Sequence, residues 1–342
     1  MIGEKIPVSD RARAVHDSAL VVDLHSHFLV GAYFLGRDFY TRYRPPRRYH
    51  PMATTVNHPA LREGGVTVST FTTYIPGAPF FPRSARRRTH TIIDRFEALV
   101  EAGEGRVVPV TTAEGMRAAK AWDGLGGLLA VEGAHVLEGD LDELDRLHAR
   151  GVRMVTLTHF LSNGVADGTS SPRRPLKGLS DFGRAVIRRM ESLGMLICTA
   201  HCTDAAFDQV MEAATGPVIC SHGGLRTFND IERNHTEDQV RRIAESGGVF
   251  GVMFFPKYLG REVGKDAHSI AVHAARIAEV AGAGAVALGS DMDSPIWLPR
   301  GFDDAGDWPQ ITQALLDVGF DDDEVTGILG GNVLRVFERV CG

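Results

Sequence analysis

The fold is decided by residues 126–159, which read GGLLAVEGAHVLEGDLDELDRLHARGVRMVTLTH. An apolar, strand-like run over Gly126–Val131 is followed by an amphipathic helical pattern over Leu141–Arg150 and by a second apolar run, Arg153–Thr158. Gly151 follows the helical pattern, as glycine commonly does at a helix C-terminus. The segment therefore predicts a strand–helix–strand unit whose two strands are parallel.

The same unit recurs along the chain. Eight short apolar runs are predicted strands: Leu20–Leu24, Val66–Tyr74, Gly126–Val131, Arg153–Thr158, Leu196–Thr199, Pro217–Cys220, Gly248–Phe255 and Ala285–Leu288. Helical patterns follow most of them: Ile92–Ala102, Leu141–Arg150, Asp181–Leu193, Asp204–Ala214, Thr236–Ser246, Ser269–Ala281 and Gln310–Val318. Eight such units favour an α/β fold of the closed (β/α)8 type, a TIM barrel, over an open sheet. We interpret the extra apolar piece Val107–Thr111 as an insertion.

One region interrupts this alternation. Residues 28–60, after the first strand, are rich in Tyr, Arg, Pro and His, as in RYRPPRRYH at 42–50. A loop of this length in a compact domain is usually functional or mobile. We therefore predict one domain over residues 1–342, with 28–60 as an active-site loop insertion. Its candidate pocket-lining residues are Tyr33, Phe34, Tyr40, Arg42 and Tyr43.

Composition narrows the class of protein. The chain has 342 residues and a formal net charge of -6, from 37 basic and 43 acidic residues, which gives no reason to expect nucleic acid as a partner. The spacing of its four cysteines does not suggest a disulfide framework. The N-terminal residues lack the pattern of a signal peptide, and every apolar run is shorter than the ~20 residues of a membrane span. We expect a cytoplasmic protein without a membrane partner.

Polar residues gather where the predicted strands end. The ends carry His25 and His27, Glu132, His159, His201, His222 and Asp291. Barrel enzymes place their active sites at this face. Residues two apart on a strand point to the same side, so His25 and His27 can reach one metal ion. Imidazole and carboxylate both suit Zn²⁺ and similar divalent ions.

Any single one of the 14 histidines is more often a surface or core residue than a ligand. Five candidate ligands at four equivalent strand ends are hard to obtain by chance, and they predict a metal site: His25, His27, Glu132, His201 and His222. The two oxygens of Glu132 can bridge two ions. Ions about 3.5–4 Å apart can share a water and lower its pKa.

At these residues the chain resembles the membrane dipeptidase (renal dipeptidase) family of metallopeptidases, within the amidohydrolase superfamily. The resemblance extends from Val21 to Val340. The stretches that carry it are VVDLHSH, LREGGV, residues 131–159, GLSDFGRAVIRRMESLGM, GPVICSH, the RN of IERN, ESGGVFGV, ALGSDMD and ILGGNVLRVFE. Such a set in this order is specific for the family.

The resemblance implies a binuclear site with Zn²⁺ as the expected metal. Glu132 would bridge two divalent ions, with His25 and His27 on one ion and His201 and His222 on the other. The family usually has Asp where this chain has His27, so one anionic ligand is replaced by a neutral one.

The resemblance also assigns three residues to the reaction. Asp291 would be the acid/base, with Asp293 supporting its loop, and His159 would stabilise the oxyanion. Arg233 would pair with the substrate's terminal carboxylate, because its planar fork suits that group. A surface salt-bridge role for Arg233 is the alternative.

Two cysteines lie near the predicted ligands. Cys198 stands where the family often has Asp, and its strand parity predicts a packing role. Cys220 shares the parity of His222, and we place it one layer deeper in the barrel, with a ligand role as the minor alternative.

The expected function is metal-dependent hydrolysis of the amide bond of a dipeptide-like small molecule. Alternatives are a lactam, N-acyl amino acid or other amide or ester hydrolase of the superfamily, and a binding protein without turnover. Asp291 disfavours the last, since a binder needs no proton shuttle. Family members are often dimers, so a homodimer is also implied.

Overall fold

The computed structural model describes residues 5–43, 55–77, 84–122, 124–260 and 262–342. Part of the predicted insertion, residues 44–54, therefore lies outside the described residues. The described chain forms nine strands: β1 Val22–Ser26, β2 Val68–Tyr74, β3 Val107–Pro109, β4 Leu125–Glu132, β5 Val152–Thr156, β6 Leu196–Cys198, β7 Val218–Gly223, β8 Phe250–Val252 and β9 Val286–Leu288.

Helices alternate with these strands. Within the same ranges they are α1 Asp10–Ser18, α2 Phe28–Leu35, α3 His58–Glu63, α4 Ala85–Ala102, α5 Ala113–Ala121, α6 Glu143–Ala149, α7 Asp181–Leu193, α8 Asp204–Ala213, α9 Glu237–Glu245, α10 Pro256–Leu259, α11 Ala267–Ala281, α12 Pro309–Asp317, α13 Asp322–Thr326 and α14 Asn332–Cys341. Among the described residues, no helix combines the length and apolar character needed to cross a membrane.

The strands form a barrel. Parallel pairing runs in the order β1-β2-β4-β5-β6-β7-β8-β9. A parallel bridge between Ser26 and Met292 joins the two ends, and the N–H of Asp291 donates to the carbonyl of His25 at 2.8 Å. The predicted (β/α)8 barrel is thus confirmed, and the last hydrogen bonds of its closure lie beside the predicted metal ligands.

The piece Val107–Thr111 contributes a ninth strand. β3 pairs in parallel with Leu125–Gly127, the first half of β4, whereas β5 pairs with the second half, Leu129–Glu132. The two strands therefore share one edge of β4 without competing for its backbone groups. The segment is an insertion into the barrel order, as predicted, but one with its own ladder of hydrogen bonds.

Local signals place the helix ends. The Thr236 hydroxyl accepts from the N–H of Gln239 at 3.2 Å, and the Gln239 side chain accepts from the N–H of Thr236 at 2.9 Å. This reciprocal capping box confirms the predicted start of α9. α4 begins at Ala85, seven residues before the predicted Ile92, because its first two turns carry arginines instead of apolar residues.

The described parts of the predicted insertion are ordered by contacts with the barrel wall. Phe28–Leu35 and His58–Glu63 are helices. The Tyr40 hydroxyl donates to the carbonyl of Leu99 at 2.8 Å, and Arg42 Nε donates to Asp304 Oδ2 at 2.8 Å. These side chains hold the segment against the barrel.

Candidate metal centre

Glu132 lies at the centre of the carboxyl end of the barrel. It is the last residue of β4 and only 1% exposed. Its Oε1 lies 3.2 Å from His201 Nε2, 3.4 Å from His25 Nε2 and 3.7 Å from His222 Nε2. Parallel strands of a barrel all end at this face, so residues far apart in sequence meet around one carboxylate.

The second oxygen of Glu132 faces other side chains. Oε2 lies 3.5 Å from His27 Nε2 and 3.6 Å from His159 Nε2. His27 Nε2 is also 3.1 Å from Asp291 Oδ1. Burial alone would lower the pKa of His27, but Asp291 and Glu132 offset this and raise it above its ordinary value. The cluster therefore has two carboxylates and five imidazoles in direct proximity.

Charge balance in this cluster fits a cation. Neither oxygen of Glu132 accepts a hydrogen bond from any described residue, although both are buried. Burial would raise the pKa of Glu132, yet the imidazoles of His159 and His25 hold it well below its usual value. A buried carboxylate without donors is costly unless a positive charge compensates it. A divalent ion held by these residues would supply that charge.

The nitrogen positions fit as well. His25 Nε2 lies 3.1 Å from His27 Nε2, and His201 Nε2 lies 3.0 Å from His222 Nε2. Two imidazoles on one tetrahedral Zn²⁺, each at ~2.0–2.1 Å, place their nitrogens roughly 3.4 Å apart. Burial holds the pKa of His201 and of His222 well below the ordinary value, so both rings are neutral, the form that binds metals.

The structure groups the ligands in more than one way. The two close nitrogen pairs follow the predicted division into two sets. Of the three sets of ligand atoms within 4.8 Å of one another, one mixes the two predicted ion sites, namely His25, Glu132 and His222, and the other two do not: His25, His27 and Asp291; and Glu132, His159 and His201. The rings of His25 and His222 are stacked 3.8 Å apart, which accounts for the mixing. The division of ligands between two ions therefore stays a proposal.

Two of the predicted site residues have unusual backbone conformations. His201, three residues beyond the end of β6, has φ 66°, and Asp291 has φ 58°. For residues with a Cβ the left-handed region costs roughly 1–2 kcal/mol, and such strain concentrates at functional sites. Strand parity alone did not predict these turns, which bring His201 to Glu132 and Asp291 to His27.

Supporting residues that the sequence did not single out hold the ligands in place. Asp23 is fully buried and accepts from Ser290 N at 2.8 Å, Ser290 Oγ at 2.6 Å and His25 N at 3.2 Å. Burial raises its pKa to about 6 despite these bonds. The Ser221 hydroxyl lies 2.9 Å from His222 Nδ1 and orients that ring. Asp23 belongs to VVDLHSH, which was the available signal.

The two carboxylates of GSDMD have different surroundings. Asp293 Oδ1 accepts from Thr55 N at 2.8 Å and Thr55 Oγ1 at 2.7 Å, and its Oδ2 accepts from Val56 N at 3.1 Å. Asp293 therefore supports the loop by accepting backbone hydrogen bonds, as predicted. Asp291 faces His27 and the metal ligands instead.

Arg233 is buried beside the metal ligands. It is 6% exposed, its Nη2 donates to the carbonyl of His222 at 3.2 Å, and the same atom lies 3.3 Å from His201 Nε2. Its Nε and Nη1 are buried and donate to no described residue. The alternative role in a surface salt bridge is therefore wrong. The guanidinium can therefore donate through Nε and Nη1 to an anion from outside the described chain.

His159 borders the mouth of the site. Its ring lies between Tyr74 and Phe160, with centroids 4.1 Å and 3.9 Å away. Burial lowers the pKa of His159 to about 4, so the imidazole is neutral near pH 7. Next to it lies a cavity of about 750 Å³. Among the described residues of the predicted insertion, none of Tyr33, Phe34, Tyr40, Arg42 and Tyr43 borders this cavity, and the role of the segment at the active site stays a prediction.

The cysteines below the site pack the barrel interior. Cys198 and Cys220 are fully buried, and Cys198 Sγ donates to Ser221 Oγ at 3.2 Å. Neither belongs to a ligand cluster among the described residues. Burial raises the pKa of Cys220 well above its ordinary value, which keeps the thiol protonated. This supports the packing role predicted for Cys198 and disfavours Cys220 as a ligand.

Solved structures share this fold. The probable dipeptidase PvdM from Pseudomonas aeruginosa superposes with a TM-score of 0.86 at 19% identity, covering 96% of this chain and 97% of that one. A metallopeptidase from Rhodobacter sphaeroides, liganded with a phosphinate mimic of the dipeptide L-Ala-D-Ala, gives 0.83 at 21% identity, covering 94% and 99%. At these identities the likeness shows a common fold.

Sequence comparison extends the match. Dipeptidase 3 from Mus musculus is 31% identical over 284 residues, which are 82% of this chain and 57% of that protein. The chain thus spans a little over half the length of this relative. The family model for membrane dipeptidases (peptidase family M19) matches residues 9–341. Because that match covers nearly the whole chain, the protein belongs to the membrane dipeptidase family, peptidase family M19.

Proposed function

We propose that this protein is a binuclear, zinc-dependent hydrolase that cleaves the amide bond of a dipeptide or dipeptide-like compound. The observation that carries the proposal is Glu132, a buried carboxylate without hydrogen-bond donors among the described residues and surrounded by imidazoles. Glu132 would hold both ions, and the other ligands would be His25, His27, His201 and His222. Bound zinc ions would polarise the scissile carbonyl and lower the pKa of the attacking water.

Two side chains beside the ligands would handle protons and charge. Asp291 has its Oδ1 3.1 Å from His27 Nε2 and is 8% exposed, so it borders both the ligands and the opening. As a carboxylate it accepts a proton from the attacking water and passes it to the departing amine. His159, neutral because its pKa is about 4, donates an N–H to the carbonyl oxygen as negative charge develops there.

Arg233 would bind the substrate's free carboxylate. Its Nε and Nη1, which have no partner among the described residues, are two of the three donor nitrogens of the guanidinium. A carboxylate that accepts from one of these nitrogens gives a charge-assisted hydrogen bond and neutralises the buried cation. The dipeptide mimic bound to the Rhodobacter sphaeroides metallopeptidase supports this substrate class.

Hydrolysis of an N-acyl amino acid is the second candidate. Such compounds keep the free carboxylate that Arg233 requires and the same amide bond. Lactams and other amides or esters that lack this carboxylate would leave the two donors of Arg233 unpaired. That difference favours the dipeptide and the N-acyl amino acid over the remaining alternatives.

A dipeptide panel tests the proposal. Protein stripped with a chelator and protein reloaded with Zn²⁺ or Mn²⁺ are assayed against free dipeptides, C-terminally amidated dipeptides and N-acyl amino acids. We expect turnover of the free dipeptides in the metal-loaded protein alone. Absence of turnover in protein with verified metal content would refute the proposal. Equal rates on free and amidated dipeptides would instead indicate a broader amide hydrolase.

A further inference from the structure

The cavity beside His159 is larger than a simple dipeptide requires. Its volume of about 750 Å³ is within the ~300–1,000 Å³ range of pockets that bury whole small-molecule ligands. Its walls are the turns that follow β2, β4 and β5, together with Phe182 in the first turn of α7. His159 and Tyr74 line it and also lie next to Glu132 and His27, so the cavity adjoins the proposed reaction site.

The walls are predominantly apolar. Phe160, Leu161, Val165 and Phe182 all line the cavity. Phe160 and Leu161 are 42% and 37% exposed, which is high for side chains of this size. Exposed apolar surface gathered around a concave site is typical of ligand binding.

Two polar side chains of the wall, His135 and Asn163, already have protein partners. His135 Nε2 bonds to the carbonyl of Ile75 at 2.8 Å. Asn163 Nδ2 donates to the carbonyl of Leu157 at 2.9 Å, and its Oδ1 accepts from Val165 N at 2.7 Å. These groups stabilise the wall, and a polar ligand group would have to displace existing bonds to use them. An apolar occupant has no such cost.

The wall after β5 is also preformed. Asn163 N donates to the carbonyl of Ala166 at 3.0 Å, and Ser170 N donates to the carbonyl of Phe160 at 3.1 Å. With the side-chain bonds of Asn163, these contacts tie the loop to itself. A ligand therefore binds without first ordering this loop, which preserves more of the free energy of apolar burial.

The position of the cavity decides which end of the substrate enters it. Arg233 lies beside His201 and follows β7, whereas His159 follows β5 and faces the other oxygen of Glu132. In a dipeptide whose carboxylate binds Arg233, the residue that bears the carboxylate lies on the amine side of the scissile bond. The acyl side then extends toward His159 and the cavity.

We infer that this cavity binds a bulky apolar group on the acyl side of the scissile amide, so that the preferred substrates carry an aromatic or long aliphatic group there. The inference rests on the proposed function, because it assumes that the carboxylate is held by Arg233. It adds a specificity that Glu132 and its imidazoles do not supply, since they contact only the reacting bond.

Two matched substrate series test the inference. In L-Xaa-L-Ala, with Xaa as Ala, Leu or Phe, we expect kcat/KM to rise at least about tenfold from Ala to Phe, since burying the ring removes its apolar surface from water. In L-Ala-L-Xaa the same change should alter kcat/KM by less than about threefold, because the ring lies outside the cavity. A flat first series, or equal rises in both, would overturn the inference.

Failure of the inference differs from failure of the proposed function. Metal-dependent turnover with a flat L-Xaa-L-Ala series removes the inference and leaves the dipeptidase proposal standing. Absence of turnover on every peptide of both series, in protein with verified metal content, removes the two together.

A pair of variants locates the effect. Leu161→Asp places a charge in the cavity wall at a side chain exposed enough for the protein to fold. Leu35→Asp is the control, because Leu35 is 49% exposed and lies at the end of α2, outside the cavity. We expect the kcat/KM ratio of L-Phe-L-Ala to L-Ala-L-Ala to fall at least about fivefold in Leu161→Asp, through lost apolar contact, and to stay unchanged in Leu35→Asp. An unchanged ratio in Leu161→Asp would overturn the inference.

Discussion

Arg233→Met distinguishes a role of Arg233 in substrate recognition from a role in structure. Methionine keeps an unbranched apolar stem and removes the guanidinium. In the structure Arg233 is 6% exposed, and its Nε and Nη1 have no partner among the described residues. The substitution therefore removes a buried charge that we propose is neutralised by the substrate's carboxylate.

The effect on catalysis follows from this burial. Removing one partner of a buried, hydrogen-bonded charge pair costs roughly 2–5 kcal/mol, or about 30- to 5,000-fold in kcat/KM. We expect a loss in that range on free dipeptides. On C-terminally amidated dipeptides, if they are cleaved, the loss should be far smaller, since they have no carboxylate to leave unpaired.

The effect on stability should have the opposite sign. Without substrate, wild-type Arg233 is a buried cation beside neutral imidazoles, which is unfavourable. Replacing it with an apolar side chain should raise the Tm of the ligand-free protein by a few degrees, measured by calorimetry. Lower activity together with higher stability is typical of a functional residue and is not expected of a structural one.

A surface arginine provides the control. Arg242 pairs with Asp208 on the exposed side of α9, and Arg242→Met should change kcat/KM by less than about twofold. The reasoning would be refuted if Arg233→Met lowered kcat/KM equally on free and amidated dipeptides, or if it lowered the Tm. Arg233 would then be a structural residue.

Four further outcomes are expected. Elemental analysis after reconstitution with Zn²⁺ should give two ions per chain, because the two oxygens of Glu132 face different imidazoles. A content of at most one zinc ion per chain would exclude a binuclear centre. His27→Asp restores the ligand usual in the family and should retain metal while shifting the pH optimum or metal preference, and wild-type behaviour in both would show that His27 is not a ligand. Asp291→Asn should lower turnover by about 10²–10⁴-fold while the protein retains its metal. Asp293→Asn should mainly lower the Tm. A larger loss of turnover in Asp293→Asn than in Asp291→Asn would mean that the two roles are exchanged. Burial lowers the pKa of His273 to about 4. Between pH about 6.5 and 4 the unfolded chain therefore binds a proton at this residue that the folded chain does not. The free energy of unfolding should accordingly fall as the pH drops through this range. Tm measured against pH should show a smaller slope in His273→Gln, and an identical slope would exclude His273 as a cause.

Local patterns were sufficient to predict the barrel. The near-continuous apolar runs at residues 126–131 and 153–158, with an amphipathic pattern between them, predict a buried parallel strand pair and its covering helix. β4 and β5 lie where those runs are, and α6 lies within the helical pattern. Because all strands of such a barrel end at one face, the same patterns also predicted that Glu132 and the strand-end histidines would meet.

Two features of the structure were not predictable from local patterns. His201 lies three residues past β6 with φ 66°, and Val107–Pro109 pairs with the first half of β4. Neither feature has a periodic signal. The first depends on a turn held by the surrounding chain, and the second on which edge of the sheet had free backbone groups.

The sequence by itself determined the barrel, the face of the site and the residue types that meet there, because strand periodicity and strand ends are local properties. Only the tertiary structure decided that Arg233 is buried without an anionic partner among the described residues, that one ligand cluster joins His25 to His222, and that an apolar cavity adjoins His159. Each of these depends on which distant segments pack together. Burial, pairing and empty space are properties of that packing, and they have no counterpart in the order of residues along one segment.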